Sequence, residues 1–352
     1  MTSLREVALL RLAAQRLVGE PHATPADVVR FATCTQAQDF PAALSAVALR
    51  CRDRSVAAVT RALDEGEVVR SWPMRGTLHL VAPQDLRWML AIGPPRVETS
   101  AATRRRDLGI DDKTLGQARD ATVAVLEGGR RIARQQLMGV WREAGVDTDG
   151  QRGAHLFGAL AVEGLICLGP MGGRLQDVVL VDEWVAPAPE RDRDEAVQEW
   201  AVRYFRSHGP ASVRDVAWWT GLTLTEVRRA VSAVRDGLER FEVDGVEHLM
   251  DPATPALLDG CRREAQGVLL LPAFDELVVG YAERSAVVPP EHARQVVAGG
   301  MFHPPVVAAG SAVGTWRRPR TADGPPEVAP LTSLSRAVAA AVPARWAAYP
   351  RA

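Results

Sequence analysis

The clearest hydrophobic pattern in the chain lies at residues 212–252, SVRDVAWWTGLTLTEVRRAVSAVRDGLERFEVDGVEHLMDP. Apolar positions at helical spacing begin after Ser212, an N-cap, and stop at Gly221, which ends a short helix. Thr223 and Glu226 form a capping box for a second helix reaching about Asp236, and Gly237 closes it. The period then changes to two in ERFEV and VEHLM, on either side of Asp244-Gly245, the preferred type I′ hairpin dipeptide. Helix, tight turn, helix, hairpin is the order of a winged helix-turn-helix.

The same order recurs twice upstream. IARQQLMGVWREAG and GQRGAHLFGALAVEG read as helices, and LICLGPMGGRLQDVVLVDEW as strand, glycine turn and strand. Earlier still, Thr24 caps a helix with Pro25 at its first position. PAALSAVALRC and SVAAVTRALDEG continue as helices, and VVRSW, PM, RGTLHLV forms a hairpin turning at Pro73-Met74. The starts near residues 24, 132 and 212 are unequally spaced, so this is a tandem array and not a solenoid of fixed period. The N-terminal stretch MTSLREVALLRLAAQRL reads as an amphipathic helix with a Ser3–Glu6 capping box and not as a signal peptide. APAPERDRDE (186–195) reads as a linker. After residue 253 come a buried strand within GVLLLPAFDELVVGYAERS, a hairpin turning at Gly310-Ser311, and a final helix. The expected fold class is α+β, mostly α: three tandem winged helix-turn-helix units in one compact body with an added C-terminal β-hairpin and helix. The expected boundaries are 1–95, 96–186, 190–252 and 253–352.

Composition narrows the chemistry. The 352 residues suffice for two or three domains with real cores. No apolar run is long enough for a membrane span, and a cytoplasmic protein is expected. Cys34, Cys51, Cys167 and Cys261 are scattered without metal-ligand spacing, which argues against a zinc or iron–sulfur site and against a disulfide framework. No cofactor or metal is expected. The net charge of −1 gives no global argument for nucleic acid. Of the 42 basic residues, Lys113 alone is lysine, in a polar segment that reads as exposed. Arginines cluster at 104–106, 130–131, 228–229 and 317–318. Helix-turn-helix units dock on DNA but also serve as protein-binding modules and scaffolds. Three in a row, with no heptad seam, suggest a body that wraps a duplex.

Four stretches, TQAQDFPAAL, WPMRGTLHLVAPQDLRWML, LLPAFDELVVGYAERSAVVPPEHARQVV and VGTWRR, together resemble the AlkZ-type DNA glycosylases, related to the YcaQ proteins. The resemblance runs from about residue 5 to 320. It implies a triple winged-helix body that cleaves N-glycosidic bonds of alkylated purines in double-stranded DNA, including bulky adducts and crosslinks, often as self-resistance of an antibiotic producer. It also implies that Gln36-Ala37-Gln38 is the catalytic motif, matching a glutamine–apolar–glutamine pattern. One departure is VVAGGMFHPP, where Met301 follows two glycines directly and the resemblance leads to a longer connector.

The physical chemistry of the residues is compatible with that role. Alkylation at N7 or N3 makes a purine cationic, so it leaves without a strong general acid. What remains is to stabilise an oxocarbenium-like sugar and to place a water. A carboxamide offers an acceptor oxygen and donor hydrogens without titrating. Residues i and i+2 share a face only in extended chain. Pro41 biases Phe40 away from the helical region, and Asp39 is placed to cap the next helix. Residues 35–40 are therefore expected to be non-helical. Read without the resemblance, the two glutamines are ordinary loop polars.

Other candidates carry paired readings. Arg75, Thr77 and His79 alternate onto one strand face, as phosphate contacts or as satisfied structural residues. Asp275 either orients a pocket residue or caps a helix. Trp316, Arg317 and Arg318 either grip the DNA backbone or place a buried tryptophan beside solvated charge. The leading reading is a monomeric, monofunctional DNA glycosylase, lyase chemistry being disfavoured by the scarcity of lysine. The alternative is a non-catalytic DNA-binding regulator or damage sensor.

Overall fold

A computed structural model describes residues 3–351 except 94, 190, 320, 322 and 323, with the side chains of 95–98 left aside. Helices and strands alternate along the chain in a mixed α/β fold, with helix in about half of it. The described residues divide into two compact units. The first comprises Met1–Val59, Val197–Trp219 and Thr223–Ala352, and the second Thr60–Ala196 with Thr220–Leu222.

In the first unit, the Leu4–Ala14 helix packs its buried side chains against the Thr254–Ala265 helix. Ser3 caps the former, its Oγ accepting from the Glu6 amide at 3.3 Å. Only that half of the expected capping box forms, because the Glu6 carboxylate is drawn away to the Arg262 guanidinium at 2.8 Å. Against these helices lies an antiparallel sheet of four strands in the order Glu327–Pro330, Ser311–Arg317, Pro305–Ala308, Val268–Leu270. Val7, Leu10, Leu258, Leu270, Val306 and Trp316 belong to one continuous apolar core. The central hairpin turns at Ala309-Gly310, with φ of 49° and 84°, one residue before the expected position.

The Val213–Thr220 helix ends at Gly221 (φ 78°), and Thr223 with Glu226 forms the reciprocal capping box of the Leu224–Val234 helix. Glu239–Val243 and Val246–Met250 then pair antiparallel around Asp244-Gly245, both with positive φ, as the type I′ reading requires.

In the second unit, five strands lie side by side in the order Thr77–Val81, Val69–Met74, Ile166–Met171, Gln176–Leu180, Ile132–Ala133. Trp141, Leu156, Phe157 and Leu160, from the Arg134–Glu143 and Arg152–Val162 helices, fill its core. The first hairpin turns at Arg75-Gly76 (φ 54° and 68°), not at Pro73-Met74. Proline cannot donate a ladder hydrogen bond, and the register shifts between Ser71 and Met74 to accommodate it. Residues 186–192 carry no regular structure where described, and helix Arg193–His208 begins within the expected linker. Residue 190 of that linker lies outside the described residues.

All four cysteines are buried, and none is in a disulfide among the described residues. Lys113 is exposed in the first turn of the Asp112–Leu126 helix. Among the described residues, no helix is long and apolar enough to cross a membrane.

Candidate active site

The glutamine segment begins where a helix is forced to stop. Helix Pro25–Ala32 starts as read, with Thr24 at the N-cap and Pro25 in the first turn. Its C-cap, Thr33, has φ 70° and ψ −49°. For a β-branched residue that conformation is strained, and its Oγ1 is buried with no hydrogen-bond partner among the described residues. Three extended, buried residues follow, Cys34–Gln36. A bend at Gln38 and Asp39 leads into the Phe40–Leu49 helix, and the Asp39 side chain caps that helix by accepting from the Ala42 amide at 3.1 Å. Residues 35–39 are thus non-helical, while Phe40 already opens the helix, one residue earlier than expected.

Gln36 is 6% exposed, whereas Gln38 is exposed at the bend. The Gln36 Oε1 accepts from the amides of Ala37 (2.9 Å) and Gln38 (3.2 Å). The strand ends at Gln36 because its own carboxamide satisfies the next two backbone donors and turns the chain. The simple alternation expected to place both glutamines on one face therefore gives way to a folded bend in which the first cradles the second's backbone. With Oε1 so engaged, the Nε2 hydrogens are the part of Gln36 left for a ligand.

Behind the strand sits a buried acidic group that sequence reasoning did not single out. Glu276, 2% exposed, accepts from the Gln36 amide at 2.7 Å through Oε1. Its Oε2 meets Trp219 Nε1 at 3.0 Å and His208 Nε2 at 3.3 Å. Burial opposes the charge of Glu276, but the hydrogen bonds it accepts from His208, Gln36 and Trp219 outweigh it and hold the carboxyl below the usual glutamate range. His208 is lowered, since burial exceeds the pull of Glu276. Its Nδ1 lies 2.8 Å from Ser207 Oγ, and its ring stacks on Tyr204 with centroids 4.7 Å apart.

Asp275 is buried and has two kinds of partner. Oδ1 caps the short Glu276–Val279 helix by accepting from Leu277 at 3.0 Å. Both oxygens also pair with Arg50, at 2.9 and 3.0 Å, in a bidentate buried ion pair. Arg50 in turn donates to the carbonyls of Gln15 (3.1 Å) and Ala46 (2.9 Å) and to Gln15 Oε1 (2.8 Å). A cavity of about 10 Å³ remains among Gln15, Thr35, Arg50, His208 and Glu276, room for about one water. The available signal for this cluster was the Asp-Glu pair inside the apolar run 267–281, because two adjacent carboxylates in a buried segment require partners.

Trp316 is 4% exposed, donates through Nε1 to the Leu271 carbonyl at 2.8 Å and packs on Trp346 and Tyr349; Arg317 and Arg318 are exposed beyond it. In the second unit, His79 is fully buried, with Nδ1 2.9 Å from the Thr77 carbonyl and Nε2 3.3 Å from Arg75 Nη2. Those contacts fit an Nδ1–H tautomer that accepts from the arginine. Arg75 itself stands in the turn and not on the strand, because the hairpin needs positive φ there. Thr77 Oγ1 is buried without a partner among the described residues.

Residues 29–352 match the family model described as AlkZ-like, DNA glycosylase AlkZ-like. A relative from Streptomyces sahachiroi, named interstrand DNA cross-link repair glycosylase, is 27% identical over 335 residues, covering 89% of this chain and 87% of the relative. The solved structure of the Streptomyces sahachiroi DNA glycosylase AlkZ shares the fold, with a TM-score of 0.78 at 24% identity, over 99% of this chain and 98% of that one.

Proposed function

The chain belongs to the AlkZ-like DNA glycosylase family, hydrolases of N-glycosyl bonds, and from that premise we propose that it excises cationic alkylpurines from double-stranded DNA with Gln36 and Gln38 at the reacting centre. The observation that carries the assignment is the bend itself. A strained Thr33 and an Asp39 cap frame a segment whose first glutamine is buried and fixed and whose second is presented to solvent. Gln38 is assigned to the water that attacks the anomeric carbon. Gln36 is assigned to holding the bend through Oε1 and to donating from Nε2 to the sugar or a phosphate. Neither group can protonate a leaving base, which suits a substrate whose base already carries positive charge. The cavity behind the strand is too small for a flipped base, so the base is expected on the Gln38 side.

The substrate class extends to bulky N7-guanine or N3-adenine adducts and crosslinks, in keeping with the name of the Streptomyces sahachiroi relative. The protein is expected to act as a monomer. The body is proposed to be three winged helix-turn-helix units, since helices followed by a hairpin recur around residues 25–81, 134–180 and 213–250. Lyase activity is not expected, because the chain has a single lysine, Lys113, and none of the described residues that contact Gln36 is an amine nucleophile.

Incubation with duplex DNA carrying N7-methylguanine or a bulky N7-guanine adduct, scored for abasic sites, tests the reading. Base release is expected, and Gln36→Ala and Gln38→Ala should each slow it by roughly 10- to 1,000-fold, in the range for losing a positioned polar group at a reacting centre. Binding without release from any such substrate would favour the DNA-binding regulator or sensor instead. Release that survives both substitutions removes the site assignment.

A further inference from the structure

The Asp275-Glu276 dipeptide touches the chain on both sides of the glutamine bend. Glu276 holds the incoming strand by accepting the Gln36 amide at 2.7 Å. Asp275 holds the outgoing helix through Arg50, which is the C-cap of Phe40–Leu49 and donates to Ala46 within it. We infer that Glu276 is a positioning residue for base excision, fixing Gln36 at the end of its strand, with His208 and Trp219 fixing the carboxylate in turn. The inference rests on the reading of Gln36 and Gln38 as the reacting pair.

Three features distinguish this carboxylate from an ordinary buried polar group. Taking an ion out of water costs several kcal/mol, so a buried glutamate is retained only where every oxygen is well used. Here one oxygen is given to a single main-chain amide, that of the candidate catalytic residue. The other oxygen is oriented by two ring N–H groups that have little freedom to move. Trp219 is fully buried in an aromatic cluster with Trp200, Tyr204 and His208. His208 is stacked on Tyr204, bound at Nδ1 by Ser207, and held at its own carbonyl by the Tyr281 hydroxyl at 2.7 Å. Gly280 lies against its ring so closely that a Cβ there would fall 2.8 Å from His208 Cδ2 and 2.6 Å from the Glu276 carbonyl. Tyr281 also receives Gln15 Nε2 at 2.9 Å, and Gln15 contacts Arg50. The two halves of the clamp are therefore one connected network, and rotation of the carboxylate breaks hydrogen bonds at both of its oxygens. An error of about 1 Å in the placement of a reacting group can cost about a hundredfold in rate, which is what such rigidity prevents.

The test is single-turnover base release from a duplex containing N7-methylguanine, with Kd for an abasic-site duplex and a thermal melt measured on the same proteins. Glu276→Gln keeps the shape of the side chain. It puts an amide donor against the Trp219 and His208 donors, however, so the group is expected to turn and release the Gln36 amide. Expected is a fall in rate of about 10- to 100-fold with Kd within about twofold of wild type. Trp219→Phe removes one N–H while keeping a ring in place, and a fall of about 3- to 10-fold is expected on the same grounds. If the folded Glu276→Gln protein loses less than about fivefold in rate, or loses rate only in step with Kd, the inference is overturned. Should Glu276→Gln not fold, Trp219→Phe decides, with wild-type rate overturning the inference. Gln36→Ala run alongside separates the two claims: if it excises at the wild-type rate, the underlying site assignment fails whatever Glu276→Gln does.

Discussion

At the scale of single residues, the site is a set of buried polar groups whose partners decide whether they stabilise. The Arg50–Asp275 pair is bidentate, with both side chains almost wholly out of water. Such a pair contributes little compared with an apolar replacement, but losing one member strands the other charge. Asp275→Ala is therefore expected to cost about 3–5 kcal/mol in urea unfolding, whereas a shape-conserving apolar exchange of both residues should cost far less. An unchanged unfolding midpoint in Asp275→Ala would mean that Arg50 finds another acceptor. Legibility at this scale was uneven. Gln36 and Gln38 could be read because the motif is contiguous and sits at a helix boundary. Glu276, His208 and Trp219 could not, because the hydrogen bonds that link them to one another and to Gln36 span 57 to 240 residues of chain and are closed only by the fold. Arg75 was misplaced for a local reason: alternation of side chains says nothing about which two residues form the turn, and the requirement for positive φ placed it at Arg75-Gly76.

At the scale of elements, most of the sequence reading survives because caps and turn dipeptides are local chemistry. Thr24, Asp39, Thr223 and the Asp244-Gly245 turn stand where expected, each identified by a side-chain hydrogen bond or a positive φ. Beyond the misplaced turns, one local signal fails because a long-range partner competes with it: Arg262 takes the Glu6 carboxylate out of its capping box. The Asp39 cap matters more than its exposed position suggests, since it also fixes the far side of the glutamine bend. Asp39→Ala is expected to lower stability by about 1 kcal/mol, the usual cost of a lost N-cap, in equilibrium unfolding. Excision should slow further than that stability loss explains at temperatures where the protein remains folded. Asp39→Asn and Asp39→Ser, which retain an N-cap acceptor, should restore both. Loss of stability with excision untouched would show that the cap serves the helix alone.

At the scale of the whole molecule, near-neutral net charge conceals local concentration. Arg228 and Arg229 are exposed on the Leu224–Val234 helix, opposite the buried Val227, Ala230 and Val231. If this face meets phosphates, each arginine displaces about one condensed counterion. Replacing both with glutamine should then flatten the plot of log K against log salt by up to about 2 units of slope while leaving the single-turnover rate on saturated enzyme unchanged. An unaltered slope, measured by anisotropy on undamaged duplex, would take this helix out of the DNA contact. The buried cysteines have a consequence of a different kind. Cys51 and Cys167 are pushed up to about 12 by burial, which keeps them as thiols, and the chain has a single lysine. Agents that alkylate DNA also seek thiolates and amines. Enclosed and held as thiols, Cys51 and Cys167 present almost no thiolate to such reagents, so neither is a ready target for the chemistry that damages DNA.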